Sequence, residues 1–239
     1  LAMGASGWVS SAYSPFRVKN EQAFKQGIPV TTFHTPIASQ EETPWMLAWV
    51  ATDVTGYGKA AADAIADKTQ CKGKVAITQN TFNDTENEAA RAFTEQLKAR
   101  CPDIEVLAPE IEGGEVTAGI AKAAAILTAH PDLTAAFGTT GGSPTTWGEA
   151  LKQSGRKPGE VAVIGMDYTE VNLDWVKSGF VYALVGQPIY EETYRCVELL
   201  IDYIMGKPVD FANYYPSPII TAADLDKYYA YAEKVEGTV

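Results

Sequence analysis

The stretch Val161-Ala-Val-Ile-Gly165-Met166-Asp167-Tyr168 constrains the fold most. Four consecutive apolar residues, with no polar residue alternating among them, fit a strand buried on both faces, as strands are in a parallel sheet covered by helices. Gly165 ends the run. Asp167 follows at its carboxyl end, where ligands bind in open α/β sheets. Thr169 to Lys177 reads as a short helix, with Val171 and Trp175 at i, i+4 spacing and Gly179 as its stop. A second strand, Tyr182 to Gly186, ends on Gln187-Pro188. A carboxylate and an amide are thus delivered to the ends of two successive strands, and both hydrogen-bond hydroxyls.

The rest of the chain repeats this alternation. Strand Gly7 to Ser11 leads to a helix from Pro15 to Gln26. Strand Ile28 to Phe33 ends on His34-Thr35, again at a carboxyl end. After a polar loop, strand Leu47 to Thr52 precedes Asp53 and a small-residue helix from Gly56 to Lys68. Strand Lys74 to Thr78 is followed by helix Glu86 to Arg100, with Ala89, Phe93 and Leu97 on one face. Strand Ile104 to Leu107, helix Val116 to Ala129, strand Leu133 to Phe137 and a helix from Thr145 to Gln153 complete the run. Such spacing predicts βαβ units and a parallel sheet covered on both faces. Beyond Gln187, Pro188 to Met205 reads as an amphipathic helix with Ile189, Thr193, Cys196, Leu200 and Ile204 on one stripe. Tyr214 to Ile220 is extended, and a last helix, Ala222 to Lys234, carries surface tyrosines.

With 239 residues and an apolar fraction of 46%, the chain has enough length and apolar content for a real core. Its formal net charge of −11 argues against a nucleic-acid surface, which needs basic patches. No run of about 18 apolar residues is present, so no spanning helix is expected, and the first residues do not form a signal peptide. Cys71, Cys101, Cys196, His34 and His130 lack the spacing of a zinc site, and neither a metal nor a cofactor is expected. Cys196, among Val197, Leu200 and Ile201, reads as a buried core thiol.

Two histidines leave few ways to assemble a nucleophile, base and orienting group, and no G-x-S-x-G elbow exists, so the chain is not read as an enzyme. Gly141-Gly142-Ser143 reads as a tight turn that lets backbone approach a ligand rather than as a phosphate cradle, since it lacks the lysine of a P-loop. Asn80-Thr-Phe82-Asn83-Asp84-Thr-Glu86-Asn87 lacks the glycine and bidentate acid of a calcium loop. Asn83 and Asp84 read equally as a helix cap and as ligand contacts. Amides, a carboxylate, hydroxyls and rings at strand ends make a set suited to a neutral polyhydroxylated ligand, with Trp147, Phe82 and Trp45 as candidate stacking platforms beside the alternative that they are core.

The chain resembles the periplasmic sugar-binding proteins of ABC transporters, of the type I, ribose-binding-like kind. The resemblance rests on an ordered set: Gly27-Ile-Pro-Val-Thr-Thr-Phe-His34, Ala51-Thr-Asp53, Gly73-Lys-Val-Ala-Ile, Leu127-Thr-Ala-His-Pro-Asp-Leu, Val163-Ile-Gly-Met-Asp167 and Val185-Gly-Gln-Pro188. It implies an α/β fold of two doubly wound parallel-sheet lobes with ligand in the cleft, and segments crossing near Ala48 to Thr52, Leu184 to Pro188 and Pro216 to Ile220. Lobe one is expected over 1–47 and 188–215, lobe two over 48–187 and 216–239. Asp167 and Gln187 match the family's ligand-binding Asp and hinge Gln. Thr140 and Ser11 take positions usually held by Asn or Asp, and His34-Thr35 replaces the common Asp followed by a polar residue. Ala89 stands where the family has a binding Arg, with Asn87 and Arg91 nearby. The expected ligand set is therefore Asp167, Gln187, Thr140, His34, Asn80, Phe82, Asn87, Ser11 and Trp147.

The resemblance implies an exported, periplasmic protein that captures a small sugar or polyol and presents its closed form to a membrane permease. The alternative on the same fold is the effector-binding core of a sugar-responsive transcription regulator, which a basic helix-turn-helix ahead of Leu1 would favour. The family normally carries a strand-helix-strand-helix segment before the part matching Gly7 to Ser11, so the first lobe is expected to be incomplete and the chain to be part of a longer protein, or its gap covered by a partner. Cys71 and Cys101 each follow a helix and precede a strand. In neighbouring parallel strands they would lie at one sheet edge and could pair if exported, two separate thiols being the alternative.

Overall fold

The computed structural model describes residues 4–12, 14–37 and 39–236, so the outermost residues of both expected lobe ranges, 1–3 and 237–239, lie outside the described residues. The chain divides into two units, Leu1–Asp53 with Pro188–Pro216, and Val54–Gln187 with Ser217–Val239.

The first unit is built on a sheet of β1 (Trp8–Ser11), β2 (Val30–Phe33), β3 (Ala48–Thr52) and β10 (Ala212–Tyr215), in that order and parallel throughout. Strand alternation divides β3 between two faces. On one side Trp49 and Ala51 pack with Val30, Trp45, Met46 and Ala23 of α1 (Ser14–Lys25). Ala48 and Val50 point to the other, against Cys196 and Leu199 of α7 (Ile189–Ile204). Because β3 pairs with β2, the first sheet runs through Thr52 and does not stop at residue 47. On α7 the buried positions are Glu192, Cys196, Leu199 and Leu200, while Ile204, expected on the buried stripe, is exposed. Leu199, three residues past Cys196, takes the inward place. Cys196 is fully buried, and burial pushes its thiol up to about 12.

The second unit holds, among the described residues, a seven-stranded sheet in the order β11-β9-β8-β7-β4-β5. These are β4 (Lys74–Gln79), β5 (Glu105–Val106), β7 (Leu133–Gly138), β8 (Ala162–Met166), β9 (Ala183–Val185) and β11 (Ile219–Thr221), with β6 (Glu110–Ile111) pairing the far end of β4. All pairs are parallel except β11 with β9. The period of two sorts the side chains. Val75, Ile77, Ala135, Phe137, Ile164 and Val185 face α2 (Val54–Thr69) and α3 (Asp84–Arg100). Ala76, Ala136, Val163 and Leu184 face α4 (Val116–Ala129), α5 (Ser143–Gln153) and α6 (Glu170–Ser178). Helices therefore cover both faces, as the apolar run at Val161 to Ile164 requires.

Three local expectations are corrected. The two-residue β6 has no apolar run and was not expected. The extended stretch Tyr214 to Ile220 is two strands in two sheets, because Pro216 and Pro218 lack the N–H that a continuous ladder needs. The tyrosines of α8 (Leu225–Glu236) are not all on the surface: Tyr228 and Tyr229 pack partly buried against the second core face. Cys71 and Cys101 form a disulfide with Cα atoms 5.0 Å apart, at the amino-terminal ends of the adjacent strands β4 and β5. Among the described residues no helix is long and apolar enough to cross a membrane.

Candidate functional site

Since β4, β7, β8 and β9 are parallel neighbours, their carboxyl ends deliver Asn80, Thr139-Thr140, Asp167 and Gln187 to one edge of the second unit's sheet. Asp167 leaves β8 in the left-handed region, φ +65°, with its N–H donating to Val185 O at 2.9 Å. A non-glycine residue in this conformation carries local strain. The bend is held by Asn172, nearly fully buried, whose Nδ2 donates to Met166 O at 3.1 Å, Asp167 O at 3.2 Å and Gly141 O at 3.0 Å. One amide thereby ties the end of β8 to the turn after β7.

The Asp167 carboxylate lies against Gly141, where a Cβ would collide with Oδ2. Glycine is required there for the close approach of Asp167, and the turn that carries it is closed by Ser143 N–H donating to Thr140 O at 3.1 Å. Oδ1 of Asp167 is buried and accepts no hydrogen bond from the described residues. Burial without a compensating donor pushes the carboxyl up to about 6. Asp167 does not cap the following helix. Thr169 does, accepting from Asn172 N at 3.3 Å, while Gly179 closes the other end at φ +77°.

Thr140 stands beside Gly141, with Oγ1 donating to Glu112 Oε1 at 2.9 Å and accepting from Gly142 N at 3.2 Å. Asn80 is fixed through its backbone, its N–H donating to Glu86 Oε2 at 2.6 Å. The same Glu86 oxygen accepts from Thr139 Oγ1 at 2.8 Å. Asn83 is a helix cap: its side chain accepts from Glu86 N at 3.0 Å, and Asp84 and Glu86 follow in the first turn, where the helix dipole favours acids. Asn87 Oδ1 accepts from buried Gln79 Nε2 at 3.0 Å. Asn87 and the exposed ring of Phe82 line a pocket of about 370 Å³ together with Arg91, Thr94, Glu95 and Pro109. Arg91 is held there by Glu88 and Glu95 at 2.8 and 2.6 Å.

Trp147 is corrected. It is fully buried in the core, with Nε1 donating to Thr78 Oγ1 at 2.9 Å, so it offers no face for stacking. Its position on α5 one turn after Gly142 points it under the sheet's second face. Trp45 is likewise core, packed with Met46 and Trp49 in the first unit. Sequence reasoning also missed Asn172, Glu86 and Glu112. Only Glu86 carried a signal, an acid three residues after a capping Asn, which is the capping-box spacing.

In the first unit, Ser11 and Phe33 are register partners at the ends of β1 and β2, which puts His34 one step beyond that pair. His34 adopts φ +73° and donates its N–H to Val50 O at 3.0 Å. Its Nδ1 is buried with no hydrogen-bond partner among the described residues, and burial holds its pKa below the ordinary value, so the ring is neutral at pH 7. Among the described residues no group of His, Cys, Asp or Glu is arranged to hold a metal ion.

Two parallel-sheet α/β units joined by three chain crossings, with polar groups at the strand ends, define a type I periplasmic-binding-protein fold. The chain belongs to the periplasmic binding protein domain family, which it matches over residues 20–208. It is 27% identical over 203 residues to the ABC transporter periplasmic-binding protein YphF of Escherichia coli, a match that takes in 79% of this chain and 62% of that protein, so the match spans under two thirds of the relative's length. Among solved structures, a periplasmic solute-binding protein from Actinobacillus succinogenes with bound D-allose superposes with a TM-score of 0.87 at 20% identity, covering 95% of this chain and 82% of that one. A solute-binding protein from Agrobacterium vitis with bound D-fucose gives 0.86 at 23% identity, covering 97% and 80%. These likenesses establish the fold.

Proposed function

We propose that the chain is a solute-binding protein that captures a small sugar or polyol in the periplasm for an ABC importer, with the importer's membrane permease as its protein partner. One observation carries the reading: Asp167, packed against Gly141, has a buried oxygen that no group among the described residues satisfies. Leaving a buried acceptor unmade costs about 1–3 kcal/mol, and a ligand hydroxyl that donates to it recovers that cost. Sugars fit because they present several hydroxyls on a small frame. The kinship with YphF and the sugars held by proteins of the same fold support this choice over the regulator reading. Gln187, Asn80, Phe82 and Asn87 are proposed as further contacts, as are Ser11 and His34 at the strand ends of the first unit. The family is one of binding proteins, and a carboxylate flanked by hydroxyls and amides suits retention rather than turnover.

A thermal-shift screen tests the proposal directly. A ligand that binds only the folded protein stabilises it by about 2.7 kcal/mol at a hundred times its Kd. D-allose, D-arabinose, D-fucose, D-tagatose or a related polyol should raise the melting temperature in a concentration-dependent way. A flat response across pentoses, hexoses and polyols would remove the sugar reading.

A further inference from the structure

Behind the end of β7 lies a buried carboxylate that none of the preceding roles requires. Glu112, directly after β6, is 3% exposed, and its N–H donates to Gln79 O at 2.8 Å, which fixes it beneath the turn from β7 into α5. Its Oε1 accepts from Thr140 Oγ1 at 2.9 Å and from Ser143 Oγ at 2.5 Å, and its Oε2 accepts from Thr146 Oγ1 at 3.3 Å. A carboxylate accepts, so the Thr140 and Ser143 protons turn toward it, while Thr146 Oγ1 has a nearer acceptor in Ser143 O at 3.1 Å. The Ser143 oxygen, its own proton committed, accepts from Thr140 N at 3.3 Å. Thr140 Oγ1 is then left with lone pairs alone for other partners, one of which takes the Gly142 N–H at 3.2 Å. Its neighbour across Gly141, Asp167 Oδ1, is an acceptor too.

We propose that Glu112 is a positioning residue for specificity: it fixes Thr140 as a hydrogen-bond acceptor, so that this strand end selects a ligand group that donates a proton and rejects one that can only accept. The proposal rests on the reading of Thr140 as a ligand contact. Glu112→Leu removes the acceptor. Ser143 Oγ, 3.1 Å from Thr140 Oγ1, can then donate to it, and Thr140 can offer its own proton outward. Thr140 is thereby a group of switchable polarity, and Glu112 sets the switch.

The test uses calorimetric titration with whichever of D-allose, D-arabinose, D-fucose and D-tagatose raises the wild-type melting temperature most, and with its deoxyfluoro analogues, in which one hydroxyl becomes an acceptor-only fluorine. In the wild type, one analogue should bind about tenfold or more weakly than the parent sugar because its fluorine faces Thr140. That penalty should fall to within about threefold in Glu112→Leu and in Thr140→Val, and combining the two should add nothing further, as expected of residues acting through one contact. A full penalty in Glu112→Leu alongside its loss in Thr140→Val overturns the role of Glu112 and leaves the sugar site standing. Equal weakening of parent and analogues in Glu112→Leu marks a purely structural role and also overturns it. If no analogue's penalty responds to Thr140→Val, Thr140 is not a contact and the inference falls, while Asp167→Ala tested beside it shows whether the wider site survives. Binding of none of the four sugars overturns both.

Discussion

Replacing Asp167 by Asn should make the unliganded protein more stable and a worse binder at once. The carboxyl of Asp167 stands at about 6 against an ordinary 3.8, because its Oδ1 is buried without a donor. For an acid whose folded pKa is raised, the folded state holds the extra proton between the two values. Stability from this group is therefore complete below about pH 4 and is lost as pH rises through 6. A shift of roughly 2 units at 1.36 kcal/mol each makes the loss about 3 kcal/mol at pH 7.5. Asn is neutral, similar in shape and tolerant of the left-handed conformation at φ +65°. It should recover up to about 3 kcal/mol at pH 7.5 and nothing at pH 3.5. At about 2–4 °C per kcal/mol for a domain of this size, the melting temperature should rise by several degrees at the higher pH. Thermal melts of both proteins without ligand, from pH 3.5 to 8, read this directly. A variant that melts at the same temperature as the wild type at pH 7.5, or that keeps the wild-type decline between pH 4 and 6, would refute the argument from burial. Lowered stability at every pH would point to a structural role for the carboxylate.

Three further outcomes follow from the geometry. Removing the Cys71–Cys101 disulfide by paired Ser substitution should lower unfolding stability by about 3–4 kcal/mol, the loop entropy of some thirty residues, measured by urea denaturation against untreated protein. Gly141→Ala should fold but lose most sugar affinity in titration, since the added methyl occupies the place of the Asp167 carboxylate and forces it aside. Trp147→Phe should lower stability by about 1–3 kcal/mol through the lost bond to Thr78 and the partly emptied space, yet leave sugar affinity within about twofold, which separates its core role from a binding one.

Much of the second unit was legible because its strands are apolar runs bounded by glycine or by turn residues. Val161 to Ile164 fits a strand buried on both sides, Leu133 to Phe137 reads as a strand beside it, and the helices carry spaced apolar residues. Asp167 was legible for the same reason, since a lone acid after such a run sits at a strand's carboxyl end. Glu112 was not, because its neighbours Glu110, Ile111 and Gly113 read as loop, and the two-residue strand β6 that anchors it has no pattern. Asn172 was hidden inside a helix, where its three carbonyl partners are distant in sequence. Trp147 showed only that an aromatic follows a glycine turn; which way α5 faces is decided by packing. The proline pair at Pro216 and Pro218 marked a break, but the antiparallel pairing of β11 beyond it depends on contacts with β9 that no local signal records.

In the proposed site, Asp167 holds a sugar hydroxyl through its otherwise unsatisfied oxygen. Calorimetric titration of wild type and Asp167→Ala with the panel sugar that most raises the melting temperature tests it most directly. A charge-assisted hydrogen bond contributes about 1.5–3 kcal/mol, so the variant should bind roughly ten- to a few hundred-fold more weakly while retaining a cooperative melt. Unchanged affinity in a folded Asp167→Ala protein would contradict the claim.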